Sequence, residues 1–206
     1  MRVAILSESS ADEAALRILV DAVLGVATTV PSTTPLRSRG WHAVRNVLPV
    51  ITKELQYRTD AEGLVVVVDS NHTYLSGDEP RNRLREFQEL VQRCQRQLRP
   101  VPGRVPLKIA VGVAAPAIEA WWLCKTNAQI TEAAWERGLD IKQEPFSKLD
   151  LKKWLYGQEY SSLDLMTRKM IEAARNLTSD LAILERSFPN GFGALAKELR
   201  GWRSVN

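Results

Sequence analysis

Three short apolar runs, each bounded by polar residues, stand out along the first part of the chain. They cover residues 2–7, 63–69 and 107–114, and the second contains four consecutive valines. β-Branched residues suit a pleated backbone, and a run without polar alternation is typical of a strand buried on both faces. The pattern therefore predicts a parallel sheet of three or four strands.

Apolar residues at helical spacing fill the segments between these runs. The spacing predicts helices over about residues 13–24, 41–57 and 81–98. Ser9 or Ser10 is expected to be the N-cap of the first helix, and Gly25 its C-cap. A fourth helix is predicted to begin at Pro116, because proline suits the first helical turn. Strand and helix alternate in this way in α/β proteins with parallel sheets and right-handed crossovers.

The character of the chain changes after residue 125. Short helices are predicted there over residues 130–138, 148–156, 162–176, 179–188 and 192–202, without a strand-like run. We therefore interpret residues 1–125 as an α/β core in which helices flank a parallel sheet. Residues 126–206 are interpreted as a helical extension packed on that core.

Composition narrows the classes of function. The chain has 206 residues, of which 45% are hydrophobic and 25% charged, as expected of a protein with an ordinary core. No apolar run is long enough to span a membrane, and the N-terminus lacks a signal-peptide pattern. We therefore expect a cytoplasmic protein with no membrane partner. The net charge of +4 permits a nucleic-acid partner without arguing for one.

Cysteine and histidine are too scarce for several kinds of site. Cys94 and Cys124 form neither a disulfide framework nor a zinc-ligand pattern. The two histidines, His42 and His72, argue against a histidine-rich metal site. Any metal would therefore be a hard cation, Mg²⁺ or Mn²⁺, held by carboxylates.

Three acidic residues lie at or just past the predicted carboxyl ends of the three strands. They are Glu8, Asp69 and Glu119. Parallel strands direct their carboxyl ends to one edge of a sheet, so the three side chains are expected to converge there. Converging carboxylates suit Mg²⁺ and phosphodiester cleavage, in which a bound metal ion activates water. The alternative is that each acid is an ordinary turn or cap residue, and the residues alone leave both interpretations open.

Short motifs around these acids resemble those of the Toprim fold. Strand-Glu8-Ser-Ser-Ala-Asp12 is similar to its first motif, and Asp69-Ser-Asn71 resembles its Asp-x-Asp motif. Glu119-Ala-Trp121 is similar to the Glu-Ala-Trp signature of small stand-alone Toprim-like proteins of unknown function, which often accompany ATPases or restriction and abortive-infection systems. Lys148-Leu-Asp-Leu-Lys152-Lys153 and Arg186-Ser187-Phe188 resemble segments of the helical tail of that group. The resemblance thus extends over nearly the whole chain.

The resemblance implies a Toprim-like (Rossmann-like) α/β fold with Mg²⁺- or Mn²⁺-dependent phosphodiester chemistry, as in the overcoming-lysogenization-defect nucleases. In that interpretation Glu8 is the general acid/base, Asp69 is a metal ligand and Glu119 is a further acidic member of the site. All three are therefore candidate catalytic residues and candidate metal ligands. Asp12 and Asn71 would assist in holding the metal.

The chain departs from the family pattern at three positions. Asn71 stands where the second aspartate of Asp-x-Asp is expected. Lys125 stands where relatives commonly have an aspartate, and Ser9 replaces a frequent glycine. Losing negative charge and adding positive charge weakens the attraction for a divalent cation.

Several basic residues are candidates for contacts with nucleic acid. They are Arg37, Arg39, His72, Lys152 and Lys153. A basic loop that leads into a helix N-terminus, as at Arg37 and Arg39, suits an anion, and lysines suit a phosphate backbone. Exposed lysines and loop histidines are also common without such a role, so the assignment stays open. We expect DNA rather than RNA as the nucleic acid.

Two functions from different classes are compatible with these features. The first, which the resemblance implies, is a metal-dependent nuclease of a bacterial antiviral defence or DNA-maintenance system. The second is a catalytically degenerate Toprim-like subunit that docks on an ATPase or sensor protein, which Asn71 and Lys125 favour. The chain contains no Walker-type phosphate loop, so an ATPase partner would have to supply any nucleotide-driven step. A homo-oligomer is compatible with either function.

Overall fold

The computed structural model describes residues 1–32, 40–77 and 82–203. Within these residues the chain is an α/β protein with a parallel sheet in the order β1-β2-β3, formed by Val3–Leu6, Gly63–Asp69 and Lys108–Ala114. Leu6 pairs with Val66, and Asp69 pairs with Ala114. Strands β2 and β3 therefore end level with each other, and the turn after β1 reaches the same edge, which we call the carboxyl edge.

The valine strand β2 lies at the centre of the sheet, as its sequence predicts. Every residue from Gly63 to Val68 is buried, and only Asp69 at the end is partly exposed. A strand with apolar side chains on both faces needs cover on both sides. Helices of the described chain provide that cover.

Helices connect and follow the strands. Their bounds are Ser10–Leu24 (α1), Gly40–Arg58 (α2), Arg83–Gln97 (α3), Ile118–Leu123 (α4), Glu132–Asp140 (α5), Lys148–Tyr156 (α6), Leu163–Thr178 (α7), Leu181–Ser187 (α8) and Ala194–Gly201 (α9), with a π-helical turn at Pro189–Gly193. Helix α1 begins as its sequence predicts, because the Ser9 hydroxyl accepts a hydrogen bond from the Asp12 N–H at 3.2 Å. It ends at Gly25, whose φ of 63° is the left-handed conformation that favours glycine.

The helices form two groups around the sheet. Helices α2 and α3 pack on each other and on β2 and β3, whereas α1 packs on β1 and on α9, and α9 packs on β3. A Cβ at Gly112 of β3 would lie 2.8 Å from Leu195 Cδ2, so α9 sits directly on the strand. The carboxyl-terminal helices thus complete the core, with α7 packed outside α1. None of the described helices combines the length and hydrophobicity that crossing a membrane requires.

The predicted place of Pro116 in the first turn of the fourth helix is wrong. Helix α4 begins at Ile118 rather than at Pro116, because Ala117 has an extended backbone and serves as the N-cap. The Pro116 carbonyl instead accepts a hydrogen bond from the Asn71 N–H at 2.9 Å. The proline therefore joins β3 to the loop after β2, and the helix starts two residues later with Glu119 in its first turn.

Candidate functional site

Asp69 connects three elements at the carboxyl edge of the sheet. Its Oδ1 accepts a hydrogen bond from the Ile118 N–H at 3.0 Å, in the first turn of α4. Its Oδ2 accepts one from Lys148 Nζ at 2.6 Å, at the start of α6. The Asp69 side chain is only 17% exposed. Both oxygens of this carboxylate are therefore engaged.

Glu8 lies beside Asp69 in the turn after β1. Glu8 Oε1 accepts a hydrogen bond from the Asp69 N–H at 2.8 Å. Its other oxygen, Oε2, lies 3.9 Å from the position that a Cβ would take at Gly40, the first residue of α2. Gly40 has a φ of 74°, which side chains other than glycine rarely adopt. The N-terminus of α2 thus approaches the Glu8 carboxylate, where its dipole favours negative charge.

Two further acids lie close by, and both are buried. Asp12 stands in the first turn of α1 and Glu119 in the first turn of α4. Glu119 Oε1 accepts a hydrogen bond from the Tyr156 hydroxyl at 3.2 Å. We call Glu8, Asp12, Asp69 and Glu119 the carboxylate cluster.

The acids of the carboxylate cluster share one electrostatic environment. Burial raises the pKa of Glu8 to about 7, and the charge of Asp69 adds to the rise. Burial likewise raises the pKa of Asp12 to about 8, and Asp69, Glu119 and Glu8 add to it. The pKa of Glu119 is raised by burial first and by Asp69 second. The predicted acids from three strand ends are thus brought together.

The lysine that bonds to Asp69, Lys148, is not one of the predicted contact residues. Lys148 bonds to Asp69, and its charge opposes the rise in the pKa of both Glu8 and Glu119. Lys152, four residues on, has the same effect on the pKa of Glu119. Tyr156 follows after another four residues and bonds to Glu119. Helix α6 therefore presents one stripe of side chains to the cluster, at the spacing of successive helical turns.

Arg83 is a second cation near the carboxylate cluster that the sequence analysis did not single out. Its guanidinium lies 3.3 Å above the Trp41 ring, and Nη1 donates to Glu86 Oε2 at 3.0 Å. Arg83 is buried, and its charge opposes the rise in the pKa of Glu8. A buried arginine at the start of a charged helix gives no sequence signal that separates it from its solvated neighbours.

The backbone conformation at residue 71 explains why an asparagine suits this position. Its φ of 56° lies in the left-handed region, where asparagine, aspartate and glycine are the usual residues. Its Nδ2 donates to the Asp69 carbonyl at 3.4 Å. The side chain thus bends back to the end of β2, and its role as a metal ligand stays a prediction.

The candidate nucleic-acid residues lie in different surroundings. His72 Nδ1 lies 2.7 Å from Glu144 Oε1, and the His72 side chain is 75% exposed. Lys153 forms an ion pair with Glu159 on the outer side of α6. Lys152 is half-buried near Glu119. Arg37 and Arg39 lie outside the described residues.

Lys125, one of the departures from the family pattern, bonds to the carboxyl end of α7 rather than to the carboxylate cluster. Its Nζ donates to the Asn176 carbonyl at 2.8 Å and to Ser179 Oγ at 3.0 Å. These bonds cap the carboxyl end of α7, where a cation is favourable. The extra positive charge at this position therefore serves the helical extension.

The side chains of the carboxylate cluster are of the type that binds a divalent cation, but their present positions are not those of a metal site. Four carboxylates supply the hard oxygen ligands that Mg²⁺ and Mn²⁺ prefer, and burial, followed by the charge of Asp69, raises the pKa of Glu8, Asp12 and Glu119. Across residues 1–32, 40–77 and 82–203, however, no three His, Cys, Asp or Glu side chains are placed to hold a metal ion. Both oxygens of Asp69 instead accept hydrogen bonds, from Ile118 and Lys148.

A cavity of about 810 Å³ lies at the opposite edge of the sheet, where the strands begin. Glu62, Arg104, Lys108 and Trp202 are among its lining residues. Arg104 Nη2 donates to the Ala61 carbonyl at 3.0 Å, and Lys108 Nζ donates to the Trp202 carbonyl at 2.7 Å. These cations bind the protein's own backbone, so the cavity is less suited to chemistry than the carboxyl edge.

Comparisons with known protein families, with curated proteins and with solved structures give no significant match to the chain.

Proposed function

We propose that the carboxylate cluster cleaves phosphodiester bonds with the help of Mg²⁺ or Mn²⁺, and that the chain is a Toprim-like nuclease of a bacterial defence or DNA-maintenance system. The observation that carries the proposal is the meeting of Glu8, Asp69 and Glu119 at one edge of a parallel sheet, with Lys148 among them. The Toprim-like assignment and the defence or maintenance role rest on the motifs around these acids. DNA is the favoured substrate.

Asp69, Glu8 and Glu119 would hold the divalent cation, assisted by Asp12 and Asn71. When bound, the cation would lower the pKa of a water molecule and neutralise charge on the reacting phosphate. Burial and, after it, the charge of Asp69 raise the pKa of Glu8, Asp12 and Glu119. Binding a cation relieves the repulsion that contributes to these rises.

Glu8 is suited to move a proton. In the metal-free protein its pKa is about 7, at which it could accept and return a proton near neutral pH, and a cation bound beside it would lower that value. The Asp69 N–H holds Oε1 in place at 2.8 Å, so the carboxylate is oriented before the substrate arrives. Preorganisation of this kind lowers the cost of reaching the transition state.

Cations around the carboxylate cluster are suited to an anionic substrate. Lys148 and Lys152 face the cluster from α6, and each can donate to a phosphate oxygen. Arg37, Arg39, His72 and Lys153 are proposed as contacts farther along the nucleic acid. They would add affinity that falls as the salt concentration rises.

A cleavage assay tests the proposal. Purified wild-type protein is incubated with single-stranded and double-stranded DNA and RNA, with Mg²⁺, with Mn²⁺ or with EDTA. We expect metal-dependent cleavage that Asp69→Asn abolishes. The exposed Asp164, paired only at the surface with Arg168, provides the matched control Asp164→Asn, which should cleave like the wild type. Intact nucleic acid in every wild-type reaction would reject the proposal.

A second candidate function has one specific observation in its favour. Lys148 already neutralises Asp69, and no metal-holding group of three is present among the described residues. A catalytically degenerate subunit that docks on an ATPase or sensor protein would have such a site. Trp154 and Leu149 on α6 are large apolar side chains that are exposed, and they would suit a docking surface. Calorimetric titration with Mn²⁺ separates the candidates, because a degenerate subunit should bind none in the wild type or in Asp69→Ala.

A further inference from the structure

Five exposed cations lie at the carboxyl-terminal ends of α2 and α3, away from the carboxylate cluster. They are Lys53 and Arg58 of α2, Arg93 and Arg96 of α3, and Arg99 just beyond α3. In the part of the chain that the structure describes, none of the five side chains forms an ion pair. We call these five residues the basic surface.

Contacts between the two helices bring the members of the basic surface together. Burial raises the pKa of the Cys94 thiol, and the charges of Arg93 and Lys53 both oppose the rise, so these two cations lie near the same thiol. The backbone N–H of Arg99 donates to the Tyr57 hydroxyl at 2.7 Å, which places Arg99 at the end of α2. The cations of α2 and α3 therefore form one surface.

The pairing of charges along α3 stops before the basic surface begins. Near the start of the helix, Arg85 pairs with Glu89. The sequence then contains no acid until Glu119, whereas residues 90–118 include five lysines and arginines. The second half of α3 and the segment after it are thus purely basic.

The acids of α2 and the following loop do not neutralise the basic surface. They are Glu54, Asp60 and Glu62. Asp60 pairs with Arg2 at 3.0 Å, and Glu62 accepts a hydrogen bond from the Arg2 N–H at 2.6 Å. Five cations therefore share the surroundings of one remaining acid, Glu54, and the surface keeps a net positive charge.

Helix stability accounts for only two of the five cations. Arg58 and Arg96 lie in the last turns of their helices, where a cation is favourable to the helix dipole. Lys53 and Arg93 lie before those turns, and Arg99 lies beyond the helix end. Like charges held this close repel one another, so an anionic ligand would stabilise the group. Four of the five are arginines, whose planar fork matches two oxygens of a phosphate.

The surroundings of the basic surface suit a nucleic-acid backbone better than a membrane. Helices that lie on a membrane insert apolar side chains into it. The apolar side chains of α3, among them Phe87 and Val91, are buried. After Glu89, the exposed side chains of α3 are all arginines and glutamines. Glutamine and arginine are both donors to the phosphates and sugars of nucleic acids.

We infer that the basic surface holds the phosphate backbone of a nucleic acid without reading its sequence. The inference rests on the proposed function for the choice of ligand, but it requires no metal ion. Arg83, whose charge acts on Glu8, precedes Arg96 by 13 residues of α3, or about 20 Å at 1.5 Å per residue. At about 3.4 Å per base pair, a duplex of about six base pairs covers that length. One nucleic acid is therefore long enough to reach both ends of α3.

Fluorescence anisotropy with a labelled DNA duplex of about 20 base pairs, in EDTA, tests the inference. We expect the double variant Arg93→Gln with Arg96→Gln to bind at least about tenfold more weakly than the wild type, and the slope of log affinity against log salt to shrink by about 2. Glutamine keeps the helix, since its helix propensity is close to that of arginine.

The matched control is Arg137→Gln with Arg175→Gln. These arginines are exposed in the last turns of α5 and α7, and neither forms an ion pair within the described ranges. The control removes the same net charge at a distance from the basic surface. It should bind DNA within about twofold of the wild type, with an unchanged salt slope.

A second measurement uses the wild type alone, so a misfolded variant cannot hide the answer. Phenylglyoxal modifies exposed arginines, and mass spectrometry gives the rate at each one with and without the duplex in EDTA. Arg93, Arg96 and Arg99 should react several-fold more slowly when DNA is bound. Arg137 and Arg175 should react at the same rate in both samples.

The outcomes separate this inference from the proposed function. A wild type that binds no DNA in EDTA, equal affinity in the two double variants, or arginines of the basic surface that DNA leaves unprotected would overturn it, even if the chain cleaves DNA with metal. Binding to phosphatidylserine vesicles that is as strong as DNA binding, and that Arg93→Gln with Arg96→Gln abolishes, would overturn it in favour of a membrane. Metal-free DNA binding that depends on Arg93 and Arg96 supports it, even if no cleavage occurs and the proposed function fails.

Discussion

Glu8 Oε1 accepts a hydrogen bond from the backbone N–H of Asp69 at 2.8 Å, across 61 residues of sequence. The bond fixes the turn after β1 against the end of β2, and it orients the Glu8 carboxylate beside that of Asp69. Two acids that lie this close repel each other, and the charge of Asp69 adds to the rise in the pKa of Glu8. An arrangement that raises the pKa of an acid towards neutrality is typical of proton-transfer sites.

Glu8→Gln tests the proton-transfer role. Glutamine keeps an oxygen that can accept the Asp69 N–H, so the fold should be retained while the titratable group is lost. We expect the rate of Mg²⁺-dependent DNA cleavage to fall by at least about 100-fold, within the range of general acid–base catalysis. Single-turnover cleavage of an end-labelled oligonucleotide measures the rate.

Glu13→Gln is the matched control for this change. Burial also raises the pKa of Glu13 to about 7, but Glu13 bonds near Ser7 and is not a member of the carboxylate cluster. The substitution should leave the cleavage rate within about twofold of the wild type, since it touches no reacting group. A similar loss in both variants would show that the effect of Glu8→Gln is structural.

The raised pKa of Asp12 leads to a prediction of how the stability of the protein depends on pH. Its pKa rises from 3.8 to about 8 on folding, so between these values the native state keeps a proton that the unfolded state releases. The contribution of Asp12 to stability is therefore greatest below its unfolded-state pKa and falls as the pH rises towards 8, by up to about 1.4 kcal/mol per pH unit for one proton. Asp12→Asn cannot titrate and should show a shallower fall.

Urea denaturation in EDTA at several pH values measures this dependence. We expect Asp12→Asn to be more stable than the wild type at pH 8, since the asparagine carries no buried charge. Glu8 and Glu119, whose pKa values are also raised, contribute a fall of the same sign in both proteins. Parallel curves for the two proteins would contradict the predicted burial of Asp12.

Gly112 tests whether α9 completes the core. A Cβ at this position would lie 2.8 Å from Leu195 Cδ2 and 3.2 Å from a ring carbon of Trp121. Gly112→Ala should therefore destabilise the protein by about 1–3 kcal/mol through overpacking. Gly201→Ala is the control, because a Cβ there meets nothing within 4 Å. Thermal unfolding should separate the two variants, and equal stability would mean that α9 does not sit on β3.

Asn71→Asp restores the second aspartate of the Asp-x-Asp motif that Asp69-Ser-Asn71 resembles. Aspartate tolerates the left-handed φ of 56°, so the loop should keep its shape. The added negative charge should increase Mn²⁺ affinity by about threefold to tenfold, because ligand charge tunes the affinity of such sites. Asn71→Gly keeps the backbone without the side chain and should not show the increase. Equal Mn²⁺ affinity in all three proteins would place Asn71 outside the metal site.

Local signals made the sheet and its acids predictable. Four valines followed by Asp69 specify a buried strand and its end without reference to the rest of the chain. Because parallel strands end at one edge, Glu8 could be placed beside Asp69 on the condition that their strands are neighbours, and β1 does pair with β2. The start of α4 was missed, since the extended backbone of Ala117 depends on the contact between Pro116 and Asn71.

Long-range contacts were not predictable in the same way. The bond between Lys148 and Asp69 spans 79 residues, and in the sequence Lys148 resembles Lys152 and Lys153. Two signals could have distinguished it. The capping box places Lys148 at the unfavourable end of α6, and the helical repeat aligns it with Tyr156. Lys153 lies about 100° around the helix from Lys152, which explains why it meets Glu159 instead.

Anomalous diffraction from crystals grown with Mn²⁺ tests the central claim most directly, namely that the carboxylate cluster is a divalent-cation site. The account predicts an anomalous peak among the carboxylates of Glu8, Asp69 and Glu119. Crystals in which Mn²⁺ binds only elsewhere would contradict it.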